Sequence, residues 1–230
     1  MEINDFIEEL KKINIELSLN QLEQLEKYYN LVIKKNKVMN LTGITDKKEF
    51  YLKHFYDSLT INKIIDLNKI NSICDIGSGA GFPGIVLKIV FPHLHVTLID
   101  SLNKRIIFLN DVIKELNLTN IEAICTRAEE FSRINEEKYD LVTARAVASL
   151  SILLECSIRL VKIGKFFVAM KGNQIEYFNN EKELKIKKVS EIDFELPFER
   201  SERKLLKFEK ISSTPKKFPR AYSVIKKKPL

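Results

Sequence analysis

The sequence is most constrained between positions 77 and 84, where four of its seven glycines fall within eight residues. An apolar run ending at Asp75 and Ile76 comes before them, and an apolar helical pattern starts at Ile85. This order predicts a strand, a glycine loop and a helix. Glycines let the chain turn tightly and let a ligand approach the backbone, while a helix N-terminus attracts polar groups. We therefore expect a small polar ligand at this loop.

The residues around the loop narrow the choice of ligand. Gly79, Gly81 and Gly84 match the G-x-G-x-x-G dinucleotide pattern, so an oxidoreductase that uses NAD stays an alternative. No Lys-Ser or Lys-Thr pair follows Gly84, which excludes a P-loop. Asp75 stands two residues before Gly77 and suits an amino group better than a pyrophosphate. S-adenosylmethionine carries such a group together with a ribose.

Composition sets the class of protein. The 230 residues are 45% hydrophobic and 30% charged, which suits one sizeable domain with an appendage. Apolar runs stay shorter than the roughly 18 residues of a membrane span, and the first residues lack a signal-peptide pattern. We expect a cytoplasmic protein with no membrane contact. The three cysteines and three histidines lack metal-ligand spacing, so no metal site is expected.

Periodicity predicts three regions. Residues 1–65 form a helical appendage, in which Ser18 and Gln21 can make a capping box for the second helix. Residues 66–212 alternate strands and helices, which predicts an α/β domain with a doubly wound, mostly parallel sheet. After the strand that leads into the glycine loop, strands are predicted at 95–100, 121–125, 139–144, 164–170, 185–195 and 204–211. Helices are predicted at 104–116, 149–161 and 174–183, and residues 213–230 form a basic tail.

Polar residues follow several predicted strands at their carboxyl ends, where ligands bind in such sheets. Asp100 closes the second strand and suits both hydroxyls of a ribose, although it or Ser101 could instead cap the next helix. Ala128 and Glu129 follow the third strand, where an adenine would lie. Glu129 could bind the exocyclic amine, or it could only stabilise a helix N-terminus.

Two cations and a polar pair complete the candidate site. Arg145 ends the fourth strand and could bind a carboxylate or a phosphate, or pair with an acid such as Asp140. Lys171 ends the fifth strand and could face the substrate. His54 and Asp57 share a helix face, either as part of the site or as a polar pair between helices.

The tail indicates a polyanionic partner. Residues 213–230 contain six cations and no acidic residue. Phe218 and Tyr222 are interleaved with these cations, and aromatic groups beside cations suit single-stranded RNA. A solvated, solubilising tail is the alternative.

Eight short stretches spread over nearly the whole chain form one pattern. They are Asn40-Leu-Thr42, Lys53-His54-x-x-Asp57-Ser58-Leu59, the run 75–84, Thr97-Leu-Ile-Asp-Ser101, Arg127-Ala-Glu129, Thr143-Ala-Arg-Ala146, Met170-Lys-Gly172 and Thr214-Pro-x-x-x-Pro-Arg220. This combination resembles the bacterial 16S ribosomal RNA (guanine-N7)-methyltransferases, also called the glucose-inhibited division protein B family. The tail departs from the family pattern at Ser223 and Ile225, where the family usually has Gly and Pro.

The resemblance implies a class I, Rossmann-like methyltransferase that uses S-adenosylmethionine. Its target would be a guanine in the decoding-region loop of 16S ribosomal RNA, as free RNA or in an assembling small subunit. Together with the strand-end argument it gives the expected cofactor-binding residues Asp75, Gly77, Gly79, Gly81, Phe82, Asp100, Ser101, Ala128, Glu129 and Arg145. The expected RNA-binding residues are Lys53, Lys171, Arg203, Lys210, Lys216, Lys217, Arg220 and Lys227.

Guanine N7 carries a lone pair at neutral pH, so we expect no general base. Asn40, Arg145 and Lys171 are the candidates for positioning the reactants. We expect a monomer. The alternatives are a methyltransferase that acts on another RNA and a non-catalytic RNA-binding or ribosome-assembly factor that keeps the fold.

Overall fold

The structure is a computed structural model that describes residues 1–173 and 178–230. Its strands are β1 Ser72–Ile76, β2 His95–Asp100, β3 Ile121–Cys125, β4 Tyr139–Arg145, β5 Val161–Lys171, β6 Ile186–Glu195 and β7 Glu202–Lys210. Its α-helices are α1 Ile3–Lys11, α2 Leu19–Met39, α3 Lys47–Phe50, α4 Asp57–Leu59, α5 Gly84–Val90, α6 Asn103–Glu115, α7 Ala128–Ile134, α8 Leu150–Ser157, α9 Glu181–Leu184 and α10 Tyr222–Lys227.

The strands form one seven-stranded sheet in the order β3-β2-β1-β4-β5-β7-β6. The first five strands in that order are parallel, and β7 runs antiparallel to both β5 and β6. This confirms the prediction of a mostly parallel α/β sheet. The carboxyl ends of the parallel strands lie along one edge, where the predicted site residues stand.

The helical appendage begins as the sequence predicts. Ser18 and Gln21 form the expected capping box at the start of α2, which ends before Asn40 in the left-handed conformation. A π-helical turn, Tyr51–Tyr56, joins α3 to α4. Apolar residues of the appendage, such as Phe6 and Tyr28, lie in the same core as residues of the sheet and its helices. The appendage therefore packs on the sheet domain as part of one core.

Two predicted boundaries shift around β5. Helix α8 ends at Ser157 and a 3-10 turn, Ile158–Leu160, follows, so β5 begins at Val161, three residues before the predicted start. Gly164, with φ +74°, interrupts the apolar pattern inside the strand. The helix predicted at 174–183 lies partly outside the described residues, and α9 is the helical part that follows.

The tail packs against the sheet domain. Phe218 is 2% exposed and Ile225 is fully buried, and α10 packs on α8. Arg220 forms two hydrogen bonds of 2.6 Å with the carboxylate of Glu155, which is itself buried. Ser223 and Ile225 stand where the family usually has Gly and Pro, and both lie in α10. Ile225 is the buried side chain of that helix. Within residues 1–173 and 178–230, no helix has the length and apolar character that crossing a membrane requires.

Candidate cofactor site and cationic cleft

The glycine loop between β1 and α5 is held at both ends. Gly77 and Gly79 adopt left-handed φ angles of +66° and +60°. A Cβ on Gly77 would lie 2.7 Å from a methyl group of Val147, which leaves no room for a side chain there. At the other end, the backbone N–H of Gly84 donates to Oδ2 of Asp75 at 3.0 Å. The carboxylate therefore ties the end of β1 to the start of α5.

Asp75 lies behind the loop. It is fully buried and belongs to the wall of neither cavity described below. Burial raises the pKa of its carboxyl to about 7, although the N–H of Gly84 lowers it in part. Its Oδ1 has no hydrogen-bond partner in the part of the chain that the structure describes. Asp75 thus braces the loop in the structure, and its predicted contact with a ligand amino group stays a prediction.

Two cavities meet at the glycine loop. The wide cavity, about 900 Å³, lies between the appendage, the loop and the β6–β7 hairpin. The narrow cavity, about 140 Å³, lies beyond the ends of β2 and β3. Gly77, Val147 and Ala148 line both. A ligand that crosses Gly77 would therefore occupy both cavities.

Besides Gly77, the narrow cavity brings together four predicted residues: Asp100, Ser101, Ala128 and Glu129. Oδ2 of Asp100 accepts from the N–H of Gly79 and from Nη1 of Arg105, both at 3.0 Å. Oδ1 accepts from the N–H of Leu102 at 2.9 Å. Leu102 is the N-cap of α6 and no described side chain caps that helix, so the capping role considered for Asp100 or Ser101 is wrong.

Glu129 stands in the first turn of α7, as both of its predicted roles require, and is 5% exposed. The cavity thus presents two carboxylates from neighbouring strand ends, which suits a neutral polar ligand such as a nucleoside.

Tyr222 is a cavity residue that sequence reasoning missed. It lines the narrow cavity from the tail, and the guanidinium carbon of Arg127 lies 5.3 Å from its ring centroid. The sequence offered Tyr222 and Phe218 as stacking groups for RNA. Phe218 is buried in the core, so that expectation is wrong for Phe218. Nothing local to the tail sequence indicates which face of the domain Tyr222 contacts.

The wide cavity is strongly cationic. Among the described residues, its walls carry one acid, Asp57, and six cations: Lys53, Arg105, Arg145, Lys171, Arg203 and Lys204. Lys171 donates to the backbone oxygen of Ala148 at 2.5 Å. A cavity whose wall carries one sign of charge concentrates ligands of the opposite sign. This cleft therefore suits phosphate groups.

Arg145 joins the sheet to the appendage. Its Nη1 donates to Oδ2 of Asp57 at 3.1 Å and to the backbone oxygen of Lys53 at 3.0 Å. Its Nη2 lies 3.3 Å from Nδ1 of His54. The other oxygen of Asp57 accepts from Nε of Arg203 at 3.1 Å. His54 and Asp57 thus belong to the site, a possibility that their spacing had left open.

The ion pair considered for Arg145 with Asp140 is wrong. Asp140 lies at the opposite end of β4 and pairs with Lys162 at 2.9 Å. The strand carries the two side chains to opposite edges of the sheet, because five steps of extended chain cover roughly 17 Å.

His54 is a structural histidine at the cleft. Its ring stacks on that of Phe82 with 4.4 Å between centroids, and the guanidinium of Arg145 lies 5.2 Å from the same Phe82 ring. Burial, helped by the charge of Arg145, lowers the pKa of His54 to about 3. The neutral ring accepts from Arg145 at Nδ1, so Nε2 donates to Oγ1 of Thr42 at 2.7 Å. Both nitrogens are engaged, which fits the expectation that the reaction uses no histidine base.

The predicted RNA-binding residues divide into two groups. Lys53, Lys171 and Arg203 line the wide cavity. Lys210 does not, because it is buried against Glu137 and the backbone of Arg159. The remaining four lie in the tail and line neither cavity: Lys216, Lys217, Arg220 and Lys227.

Lys210 is buried, and Arg220 forms an ion pair with Glu155, so both side chains have structural contacts. These findings correct the sequence-based prediction that the two residues bind RNA. Of the remaining candidates, Asn40 is exposed beside the wide cavity without lining it, and Gly81 lies against the hydroxyl of Tyr28.

The sheet order and the position of the glycine loop define a class I methyltransferase fold. Solved structures agree. A SAM-dependent methyltransferase from Aquifex aeolicus superposes with a TM-score of 0.52 at 16% identity, over 71% of this chain and 94% of its own. TrmN from Thermus thermophilus gives 0.52 at 13% identity, over 70% and 53%.

Sequence comparison identifies the family. The family model described as rRNA small subunit methyltransferase G, GidB, matches residues 21–206. The chain is 48% identical to ribosomal RNA small subunit methyltransferase G of Lysinibacillus sphaericus over 100% of both chains. It is 46% identical to the Bacillus subtilis protein of that name over 100% of this chain and 99% of that one. The chain belongs to the rRNA small subunit methyltransferase G family.

Proposed function

We propose that this protein transfers a methyl group from S-adenosylmethionine to N7 of a guanine in a loop of small-subunit ribosomal RNA. One observation carries the proposal: a cavity with two carboxylates and a cationic cavity meet at Gly77. The first suits the nucleoside half of the cofactor, and the second suits RNA phosphates. Family membership supports the same reaction.

The residues present fit the cofactor. Gly77 leaves open the passage between the cavities that a side chain would fill. We assign Asp100 to the ribose hydroxyls and Glu129 to the adenine amine, since carboxylates accept both kinds of donor. Gly77, Gly79, Ser101, Ala128 and Phe82 would contact it along the two walls. When bound, the cofactor supplies a methyl group on a sulfonium centre, which guanine N7 accepts.

The chain's own contribution is binding and alignment. N7 has no proton to lose before it reacts, and His54 is already engaged on both nitrogens. Alignment of reacting groups is worth up to ~7–11 kcal/mol in favourable cases. Because the guanine becomes cationic, Lys171 and Arg145 would serve better on phosphate or carboxylate groups than against the ring. Asn40, beside the cleft, stays a positioning candidate.

The target guanine is proposed to be unstacked. N7 lies on the major-groove edge, which is too deep and narrow in an RNA duplex for side chains to reach. A guanine in a loop, or one turned out of its stack, can enter the wide cavity. A duplex that holds the same guanine in mid-helix should therefore be a poor substrate, and efficient methylation of that duplex would contradict the proposal.

The working state of the protein is also part of the proposal. We infer a monomer that acts in the cytoplasm on ribosomal RNA, free or within an assembling small subunit, and that makes no membrane contact. The cationic cleft and the family's substrate class support the ribosomal RNA substrate. Light scattering of the pure protein, alone and with RNA, measures the oligomeric state.

The test uses tritiated S-adenosylmethionine and small-subunit RNA, naked or in subunits, from cells that lack this enzyme. Borohydride and aniline cleavage then map N7-methylguanine. We expect one labelled guanine in the decoding-region loop, and much less label at limiting cofactor with the Asp100→Ala variant; the exposed Asp111→Ala variant is the matched control. Label at another atom or in another RNA would replace the substrate assignment. Confirmed cofactor binding without any label would favour a non-catalytic RNA-binding factor.

A further inference from the structure

The turn between β6 and β7 carries an exposed aromatic side chain. Phe198 is 68% exposed, and it is the only exposed phenylalanine of the fourteen, all of which lie in the described ranges. The backbone N–H of Leu196 donates to the oxygen of Ser201 at 2.9 Å and closes the turn. Single exposed apolar side chains are common, so the exposure of Phe198 gains meaning only from its position and backbone conformation.

The turn is fastened on both sides of Phe198. Leu196 is 1% exposed and lies in the core. Glu199 forms a 3.0 Å salt bridge with Lys53, which lines the wide cavity. These contacts hold the tip of the hairpin at the rim of the cavity, with Phe198 between them.

The backbone of the turn is also unusual. Phe198 and Arg200 have left-handed φ angles of +70° and +57°. A bulky residue rarely adopts this conformation, which persists only where neighbouring contacts impose it. The turn therefore holds the phenyl ring out of the core at an energetic cost. Such strain is concentrated at binding sites and switches.

The surroundings indicate which ligand the ring would meet. Lys53 lines the cationic cleft, and so do Arg203 and Lys204 on the hairpin itself. Arg200 is exposed beside Phe198. Cations that follow a phosphate backbone, together with an aromatic ring that can stack on a base, form the usual site for unpaired RNA. A protein partner would meet the same cations without phosphates to pair with them.

We propose that Phe198 is a stacking platform for an unpaired base of the RNA substrate, adjacent to the nucleotide that enters the wide cavity. The proposal rests on RNA being the substrate of this cleft. It adds a nucleotide subsite on the hairpin to the cofactor and guanine sites. Neither the glycine loop nor the cofactor residues take part in it.

The test compares three variants at one position: Phe198→Trp, Phe198→Leu and Phe198→Ala. The probes are the unmethylated small-subunit RNA used above and a single-stranded 12-mer RNA, and both binding and methylation are measured. Stacking on an aromatic ring is worth a factor of roughly 5 to 150 per base, so the Ala variant should raise KM for RNA at least 5-fold. Leu should behave like Ala, and Trp should match or improve on the native residue. KM for S-adenosylmethionine should not change.

Ile134→Ala is the matched control, because Ile134 is 82% exposed and lines neither cavity. It should leave RNA binding unchanged. Thermal midpoints of all variants should match the native protein, since Phe198 makes no core contact. Unchanged RNA binding by the Ala variant would overturn the proposal, and so would native binding by Leu, which indicates an apolar contact without stacking.

Failure of the proposed reaction is distinguishable from failure of this inference. In one outcome the native protein binds RNA without methylating it, Phe198→Ala weakens that binding and Phe198→Trp restores it. This result refutes the reaction and supports the platform. A protein that methylates its RNA equally well with Phe, Leu or Ala at position 198 supports the reaction and refutes the platform.

Discussion

Nη1 of Arg145 lies 3.1 Å from Oδ2 of Asp57, a residue 88 positions earlier in the chain. The pair joins the end of β4 to the appendage, and Arg203 shares the same carboxylate. One aspartate thus neutralises two of the six cations in the cleft and fixes the guanidinium over Phe82. This arrangement leads to the first prediction.

Asp57→Asn should destabilise the protein by about 3 kcal/mol, because removing one member of a largely buried ion pair leaves a buried charge without its partner. Urea unfolding at pH 7 measures this change. Asp66→Asn is the matched control, since Asp66 pairs with Lys69 in solvent and should cost less than about 1 kcal/mol. A loss for Asp57→Asn as small as that of the control would contradict the prediction.

Gly77→Ala should abolish cofactor binding, since the new methyl group would lie 2.7 Å from Val147 at the junction of the two cavities. Gly164→Ala is the control, because φ there is also left-handed, at +74°, while the added Cβ meets nothing within 4 Å. Both variants should lose about 1 kcal/mol of stability to backbone strain, and Gly77→Ala should lose more because Val147 must also shift. Only Gly77→Ala should lose calorimetric binding of S-adenosylmethionine; equal affinities would refute the assignment.

Asp75 should make stability depend on pH. Burial raises its pKa from 3.8 to about 7, so between about pH 4 and pH 7 the folded state binds a proton that the unfolded state has lost. Its contribution to the free energy of unfolding therefore falls as pH rises through this window, by up to ~4 kcal/mol, and levels off above it.

The measurement is the difference in stability between the native protein and Asp75→Asn, followed from pH 4 to pH 8. Asparagine keeps an acceptor for the N–H of Gly84 but does not ionise. The difference should change with pH in the stated direction, whereas the same comparison for Asp111→Asn, on the exposed face of α6, should stay level. A flat curve for Asp75 would show that its carboxyl titrates normally.

Asp100→Ala should weaken the binding of S-adenosylmethionine at least ~10-fold, since hydrogen bonds to a charged group contribute about 1.5–3 kcal/mol each. The acid also accepts from Gly79 and Arg105, so a second variant separates cofactor binding from loop support. Arg105→Met leaves the carboxylate in place and removes a competing donor, and it should bind the cofactor at least as tightly as the native protein. An unchanged Kd for Asp100→Ala rejects the ribose assignment.

Tyr222→Ala should weaken cofactor binding by up to ~10-fold, because the ring forms a wall of the narrow cavity. Tyr222→Phe keeps the ring and should not weaken cofactor binding. The salt dependence of RNA binding should be the same in all three proteins. The opposite result, with RNA binding altered and cofactor affinity unchanged, would restore the stacking role that the sequence suggested.

The regular part of the fold was predictable because its signals are local. The glycine loop, the strands up to β4 and the Ser18 cap each depend on a few consecutive residues. The site residues at strand ends followed from the same logic, since parallel strands bring Asp100 and Glu129 to one edge.

Long-range pairings account for what the sequence did not predict. Arg220 was predicted to bind RNA because the tail sequence alone does not reveal its partner. That partner, Glu155, lies 65 residues away on α8. Lys210 stands at the end of a strand whose alternation does not reveal which face is covered. Removing the tail would accordingly expose Phe218 and Ile225, so truncation would test stability as much as RNA binding.

The position of β7 sets the order in which the chain can complete its sheet. Among the described strands, β6 pairs only with β7, and β7 also covers the edge of β5. During synthesis the edge of β5 therefore stays open, and β6 has no strand to join, until β7 has emerged. The sheet can close only after residue 210 has been made, so its completion follows the synthesis of all the other strands, and the edge of β5 stays exposed to chaperones until then.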